Sequence, residues 1–119
     1  NSISIINSKV LIMGITFKEN CPDIRNTKTF DLIDVLLNAG CDVSIYDPVA
    51  DLSKLQTSKY REFIVENLCD NTYDGIAITI AHNEFCSLSP LVIQGYCKEK
   101  HVIYDLKSIL PNDISTMSM

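Results

Sequence analysis

Tryptophan is absent from the 119 residues, and only four glycines and four prolines occur, spread widely along the chain. A chain this poor in punctuating residues, with 46% hydrophobic content, is neither low-complexity nor disordered. Its length suits one domain around one apolar core. No apolar stretch approaches the roughly 20 residues of a membrane-spanning helix, and no signal-peptide pattern is present. Cations are scarce too: 10 Lys and Arg against 15 Asp and Glu leave a net charge of -5, which excludes a broad footprint for nucleic acid or anionic membrane. An anionic ligand would have to be held by a few local cations. The five cysteines, an odd number, form no CxxC pair and sit mostly beside apolar residues, so they read as reduced thiols used as small hydrophobes in a cytoplasmic protein. Cys21, in a polar loop with Lys18 and Arg25, lacks an adjacent histidine that could act as its base. His82 and His101 have no ligand-spaced partners, and no metal site is expected.

What is present is an alternation of short apolar runs and amphipathic segments. Residues 9–16 (KVLIMGIT) form a nearly continuous apolar run rich in Val and Ile, as expected for a strand buried on both faces. A polar loop, residues 17–25, contains Pro22, which forbids an early helix, and Asn26 or Thr27 can serve as N-cap. Over residues 27–39, Phe30, Ile33, Leu36 and Leu37 recur at helical spacing, and Gly40 stands where a left-handed C-terminal residue is wanted. Residues 42–46 read as a second strand closed by Asp47-Pro48. Residues 58–68 read as a helix with Tyr60, Phe63, Ile64 and Leu68 on one side. Residues 75–80 form a third strand, 85–98 a weaker helix interrupted near Pro90, and 101–105 a fourth strand before a short polar tail. This β-α-β-α-β-α-β order, without repeats or a linker, predicts an α/β fold: an open, doubly wound, Rossmann-like parallel sheet.

In such sheets ligands bind beyond the carboxyl ends of the strands. The segments there are polar: Lys18, Glu19, Asn20, Asp23 and Arg25 after the first strand, Asp47 after the second, His82, Asn83 and Glu84 after the third, Lys107 and Ser108 after the fourth. Placing Lys18, Arg25 and Lys107 on one edge of an acidic protein suggests a pocket for a phosphorylated ligand, with lysine as a point charge and arginine as a bidentate fork. The free N–H groups at the start of the Thr27 helix would add to that field. The dinucleotide fingerprint GxGxxG is missing, since the first turn reads Gly14-Ile15-Thr16-Phe17-Lys18 with a single glycine, so this is not a principal NAD site. Asp47 sits where a ribose-binding acid would, but the following Pro48 suits a turn-forming role, and no ligand is assigned to it.

The stretch GITFKENCPDIRNT (residues 14–27), Gly40, Tyr46-Asp47-Pro48, Ala81-His82-Asn83-Glu84-Phe85 and Tyr104-Asp105-Leu106-Lys107-Ser108 resemble, in order and over nearly the whole chain, the C-terminal domain of the UDP-glucose/GDP-mannose dehydrogenase family. The wording ENCPDIRNT and the Lys107-Ser108 ending look most like the branch that oxidises UDP-N-acetylhexosamines for surface polysaccharides such as Vi antigen and O antigen. The resemblance implies that residues 1–119 are a single UDP-sugar-binding domain of a larger three-domain enzyme. That enzyme would use two NAD to take C6 of a UDP-sugar from alcohol to carboxylate through a cysteine thioester. Because the family's catalytic cysteine, lysine and aspartate lie in its N-terminal and central domains, no catalytic residue is expected in this chain, and the chain alone is expected to be inactive. Phe17 and Lys18 match the family's FK pair and are expected to bind substrate. Arg25 is expected to contact NAD held by the N-terminal domain. Lys107, where many relatives have arginine, is expected to engage the UDP-sugar. The partners so implied are UDP-sugar, NAD and the enzyme's own other two domains, with homodimerisation through the central one.

Two other classes fit part of the pattern. A phosphoacceptor receiver domain would use a strand-end Asp such as Asp47 and a late Lys such as Lys107, but needs an acidic pair after the first strand, where Ile15-Thr16-Phe17 stands. A structural subunit-contact domain would leave the strand-end cations solvated.

Overall fold

The computed structural model describes residues 7–24, 27–107, 109–110 and 117–118. Strand β1 spans Lys9–Met13, β2 Asp42–Tyr46, β3 Tyr73–Ile78, β4 Cys97–Asp105 and β5 Met117–Ser118. They lie side by side in the order β2-β1-β3-β4-β5 with every pairing parallel. The expected doubly wound parallel sheet is therefore present, with the two-residue β5 added where a polar tail was expected. Because the chain moves from β1 to β2 on one side and then to β3 on the other, the topological switch point lies between β1 and β3.

Side chains alternate across the sheet with the strand's two-residue period. Leu11 and Met13 join Ile76, Ile78 and Ile103 in one cluster, completed by Phe85 and Ile93. Ile12 joins Val43, Ile45 and Ala77 in the other, with Ile33, Phe30, Leu36 and Leu37 of helix α1, which spans Thr27–Asn38. Burying each of these large aliphatic side chains stabilises the fold by about 1.5–3 kcal/mol. At the end of α1, Gly40 has φ +88. Its N–H donates to Leu37 O and that of Cys41 to Leu36 O, the pair of bonds that closes a helix through a left-handed residue.

Three expectations are corrected. The second crossover is not an α-helix over residues 58–68. It is two 3₁₀ turns, Leu52–Leu55 and Lys59–Phe63, after which Ile64 bridges Ile45 and the Val65 N–H donates to Ile45 O at 2.9 Å. β2 is an edge strand with unpaired backbone groups, and the β-branched pair Ile64-Val65 satisfies some of them, overriding the helical spacing. The turn still packs on α1: Tyr60 lies 4.6 Å from Phe30 ring to ring, and its hydroxyl donates to Asp34 at 2.9 Å. That bond, with Lys59 at 3.1 Å, holds the Asp34 carboxyl below the usual carboxylate range. Second, the third crossover is two short helices, α2 (Asn83–Cys86) and α3 (Pro90–Gly95); the break near Pro90 was expected, and Pro90 itself stands in the first turn of α3. Cys97 and Lys98, expected at the helix end, already belong to β4, where Cys97 pairs with Tyr73 across an irregular register. Third, β1 ends at Met13 rather than residue 16, because Gly14 turns the chain at φ +105. Among the described residues no helix is long and apolar enough to cross a membrane.

Candidate functional site

The loop leaving β1 is an arch, residues 16–20, held at both feet by buried groups from distant parts of the chain. Its entry is fixed by Asp47, 5% exposed, whose Oδ2 accepts the Ile15 N–H at 2.7 Å. Oδ1 of the same carboxylate accepts from Val49 and Ala50 at 2.9 and 3.0 Å, the local turn that the Asp-Pro sequence implied. With both oxygens engaged inside the fold, Asp47 is unavailable as a phosphoacceptor.

His82, fully buried, contacts both feet. Its Nε2 lies 3.0 Å from Asp47 Oδ2 and 3.2 Å from Thr16 Oγ1, while Nδ1 accepts the Asn20 N–H at 2.9 Å. A backbone amide can only donate, so Nδ1 is the bare nitrogen and Nε2 carries the hydrogen. The Thr16 hydroxyl in turn donates to Lys18 O at 2.9 Å. Asn20 adopts φ +61, a left-handed conformation that Asn tolerates. Its side chain exchanges bonds with Asn83, taking the Asn83 N–H on Oδ1 at 2.9 Å and donating from Nδ2 at 3.3 Å. A buried His-Asp pair invites comparison with a catalytic dyad, but both ring nitrogens are occupied within the protein and no face reaches solvent, so this pair is not a general base.

What the arch presents is Phe17, 62% exposed, and the exposed Lys18. A phenyl ring left this open on an otherwise clamped loop is the kind of apolar surface that a ligand or partner covers. Beside the arch, Asn20, Val49, Asn83, Glu84 and Ser87 line an open concavity of about 600 Å³. A second, of about 680 Å³, lies among Cys21, Pro22, Asp23, Ile24, Asp51 and Lys54.

The loop leaving β4 carries the exposed Lys107. Asp105, fully buried, anchors it: Oδ1 accepts the Ile109 N–H at 3.1 Å and Oδ2 the Leu110 N–H at 2.8 Å. In the sequence Asp105 stands out as a strand end and as part of the matched stretch of residues 104–108, with no role of its own. An Asp between a strand and a turn, as at Asp47-Pro48, was the available signal. Lys18 and Lys107 thus stand on the same edge, on loops separated by β3, a spacing of about 10 Å between strand ends. Arg25, Asn26 and Ser108 lie outside the described residues.

The crevice between β1 and β3, where a dinucleotide's pyrophosphate would enter a Rossmann sheet, is filled by protein. A Cβ on Gly14 would lie 2.7 Å from the Ile80 Cβ, Thr79 Oγ1 bonds Met13 O and Gly14 O, and His82 with Thr16 sits above them. The residues present therefore do not fit NAD as a principal occupant, in agreement with the missing glycines. Of the five free cysteines, Cys41 and Cys97 are buried as small hydrophobes, whereas Cys69 and Cys86 are exposed, contrary to that reading. Burial raises the Cys41 thiol and pushes that of Cys97 up to about 12.

Comparison with known proteins agrees with this geometry. The model of the UDP-glucose/GDP-mannose dehydrogenase family, UDP binding domain, matches residues 11–112. A UDP-N-acetyl-D-glucosamine 6-dehydrogenase of Salmonella typhi is 39% identical over 117 residues, 98% of this chain and 27% of that protein. One from Pseudomonas aeruginosa is 37% identical over 98% of this chain and 28% of its own length. The chain thus spans about a quarter of the length of these relatives. Among solved structures, an NDP-N-acetyl-D-galactosaminuronic acid dehydrogenase from Methanosarcina mazei superposes with TM-score 0.74 at 25% identity, over 94% of this chain and 23% of that one. The sheet order, the filled crevice and the matched residues lead to one assignment: the chain belongs to the UDP-glucose/GDP-mannose dehydrogenase family, in which it corresponds to the UDP binding domain.

Proposed function

We propose that this chain is the C-terminal UDP-sugar-binding domain of a larger, cytoplasmic, NAD-dependent UDP-sugar 6-dehydrogenase that serves surface polysaccharide synthesis. UDP-N-acetylhexosamine is its substrate class, as the names of the two relatives at 39% and 37% identity suggest. The observation that carries the reading is the arch itself: an exposed Phe17-Lys18 pair held up by buried groups at the carboxyl edge of a parallel sheet. In this reading Lys18 supplies charge to the substrate, Phe17 an apolar face, and Lys107, from across β3, a second cation to the nucleotide. Arg25 reaches toward NAD, which the N-terminal domain holds. Lysine at position 107 offers a point charge and not arginine's fork, so it attracts the ligand without fixing its orientation.

The contribution of this chain is binding energy remote from the reacting carbon, used to orient it in a cleft completed by the N-terminal and central domains. No catalytic group is assigned here, and homodimerisation belongs to the central domain. Calorimetric titration of the chain with UDP and, separately, with NAD tests the reading. UDP is expected to bind weakly, with affinity lowered roughly tenfold or more by Lys18→Ala, the scale of one lost charged hydrogen bond. NAD is expected not to bind. Binding of NAD without UDP, or reduction of NAD by the chain alone, would overturn the assignment.

A further inference from the structure

We propose that His82 is the positioning residue of the Phe17-Lys18 arch. The imidazole, locked as the Nε2–H tautomer, sets where the pair stands without itself touching a ligand. The inference rests on the functional reading above only for what the arch binds. Its geometric content is independent of that reading. Thr16 and Asn20 flank the exposed residues, and both contact the same ring, at 3.2 Å through Nε2 and 2.9 Å through Nδ1. The ring is immobilised from below by Asp47 at 3.0 Å and from the side by Phe85, 5.3 Å between centroids. Fully buried, the ring is enclosed by the fold and ties the arch to the sheet.

The two nitrogens divide the work. At Thr16 the arch has other support, since Asp47 takes the neighbouring Ile15 N–H directly and Thr16 is tied to Lys18 O. At Asn20 the backbone N–H is given to Nδ1. Nδ1 is thus the atom that holds the backbone of the far foot, whose side chain is clasped separately by Asn83, and Nε2–H is the atom that ties the ring to the core. Two substitutions separate these roles by shape. In His82→Asn the side-chain oxygen falls close to the position of Nδ1, keeping an acceptor for Asn20 while abandoning Asp47. In His82→Gln the amide nitrogen falls close to Nε2, keeping a donor for Asp47 while abandoning Asn20.

The expected pattern is crossed. Nitrogen-15 shifts of the wild-type chain should show Nδ1 unprotonated and Nε2 protonated. Amide exchange at Asn20 should accelerate about tenfold or more in His82→Gln and stay near wild type in His82→Asn. UDP affinity should fall about tenfold in His82→Gln and much less in His82→Asn, even where His82→Asn is the less stable variant. Adding Lys18→Ala to His82→Gln should cost little more than either change alone, since both remove the same contact. A role in stability alone predicts the reverse, with affinity following stability and His82→Asn the weaker binder. That reversal, a protonated Nδ1, or unchanged Asn20 exchange in folded His82→Gln would overturn the proposal. Should His82→Gln fail to fold, the wild-type tautomer and the Asn20 protection in His82→Asn still decide. If the wild-type chain binds no UDP, the functional reading has failed, whereas the exchange data still settle what holds the arch.

Discussion

The loops that leave β1 and β4 reach the same edge of the sheet and each exposes a lysine, yet they are held in opposite ways. The β1 loop depends on Asp47 and His82, 32 to 66 residues away from their partners in the loop. The β4 loop depends on Asp105, which closes on amides only four and five residues further on. The first also has a local bond, Phe17 N–H to Asp23 O, and the second one longer bond, Leu106 N–H to Ile78 O at 3.0 Å, but the first rests mainly on distant side chains and the second mainly on a local turn. A substitution in the first should therefore propagate between loops, and one in the second should stay where it is made.

Asp47→Asn gives the strongest test. An amide cannot accept from Ile15, Val49, Ala50 and His82 together, and the buried partners left behind should cost about 3 kcal/mol. Urea unfolding should register the loss, and amide exchange should quicken in the loops after both β1 and β2. Gly14→Ala should cost about 2–3 kcal/mol, because a Cβ at φ +105 is strained and meets Ile80 at 2.7 Å. Its effect should again spread to the β1 loop. Asp105→Asn should cost about 1–2 kcal/mol, with faster exchange confined to residues 106–110. Spread beyond them would break the comparison. The smallest effect concerns pH and lies at the opposite end of β4. The Cys97 thiol, pushed up by burial to about 12, keeps its proton in the folded chain where the unfolded chain has lost it. Its contribution is complete below the ordinary thiol value of 9.0 and declines as pH rises toward about 12. Denaturant midpoints at about pH 8 and pH 10.5 should differ less in Cys97→Ala than in the wild type, with both lysine loops unaffected.

The same contrast explains what could be read from the sequence. β1, β2 and α1 were legible because continuous apolar runs and a 3.6-residue spacing ending in Gly40 are local patterns. Asp47 was legible as a turn former through Pro48. The non-local features were not. Nothing local marks Ile64-Val65 as cover for an edge strand, and their helical spacing pointed elsewhere. His82 was visible as a polar residue after β3, but its burial and its grip on Thr16 and Asn20 exist only once β1 and β3 lie side by side. Lys18 was singled out as a cation after the first strand and again by resemblance, Phe17 by resemblance alone, and the fold places both on the arch.

The arch also has a place in time. Its contacts with His82 and Asn83 join residues 62 to 66 apart in sequence, and they require β1 and β3 to have paired first. Closing so long a segment before any contact rewards it is slow, so the clasp should be among the last features to form on folding. A chain caught earlier would have its sheet and α1 but no raised Phe17-Lys18 pair. Spectroscopic recovery of secondary structure should then precede recovery of nucleotide binding, and the interval between them would time the seating of one imidazole.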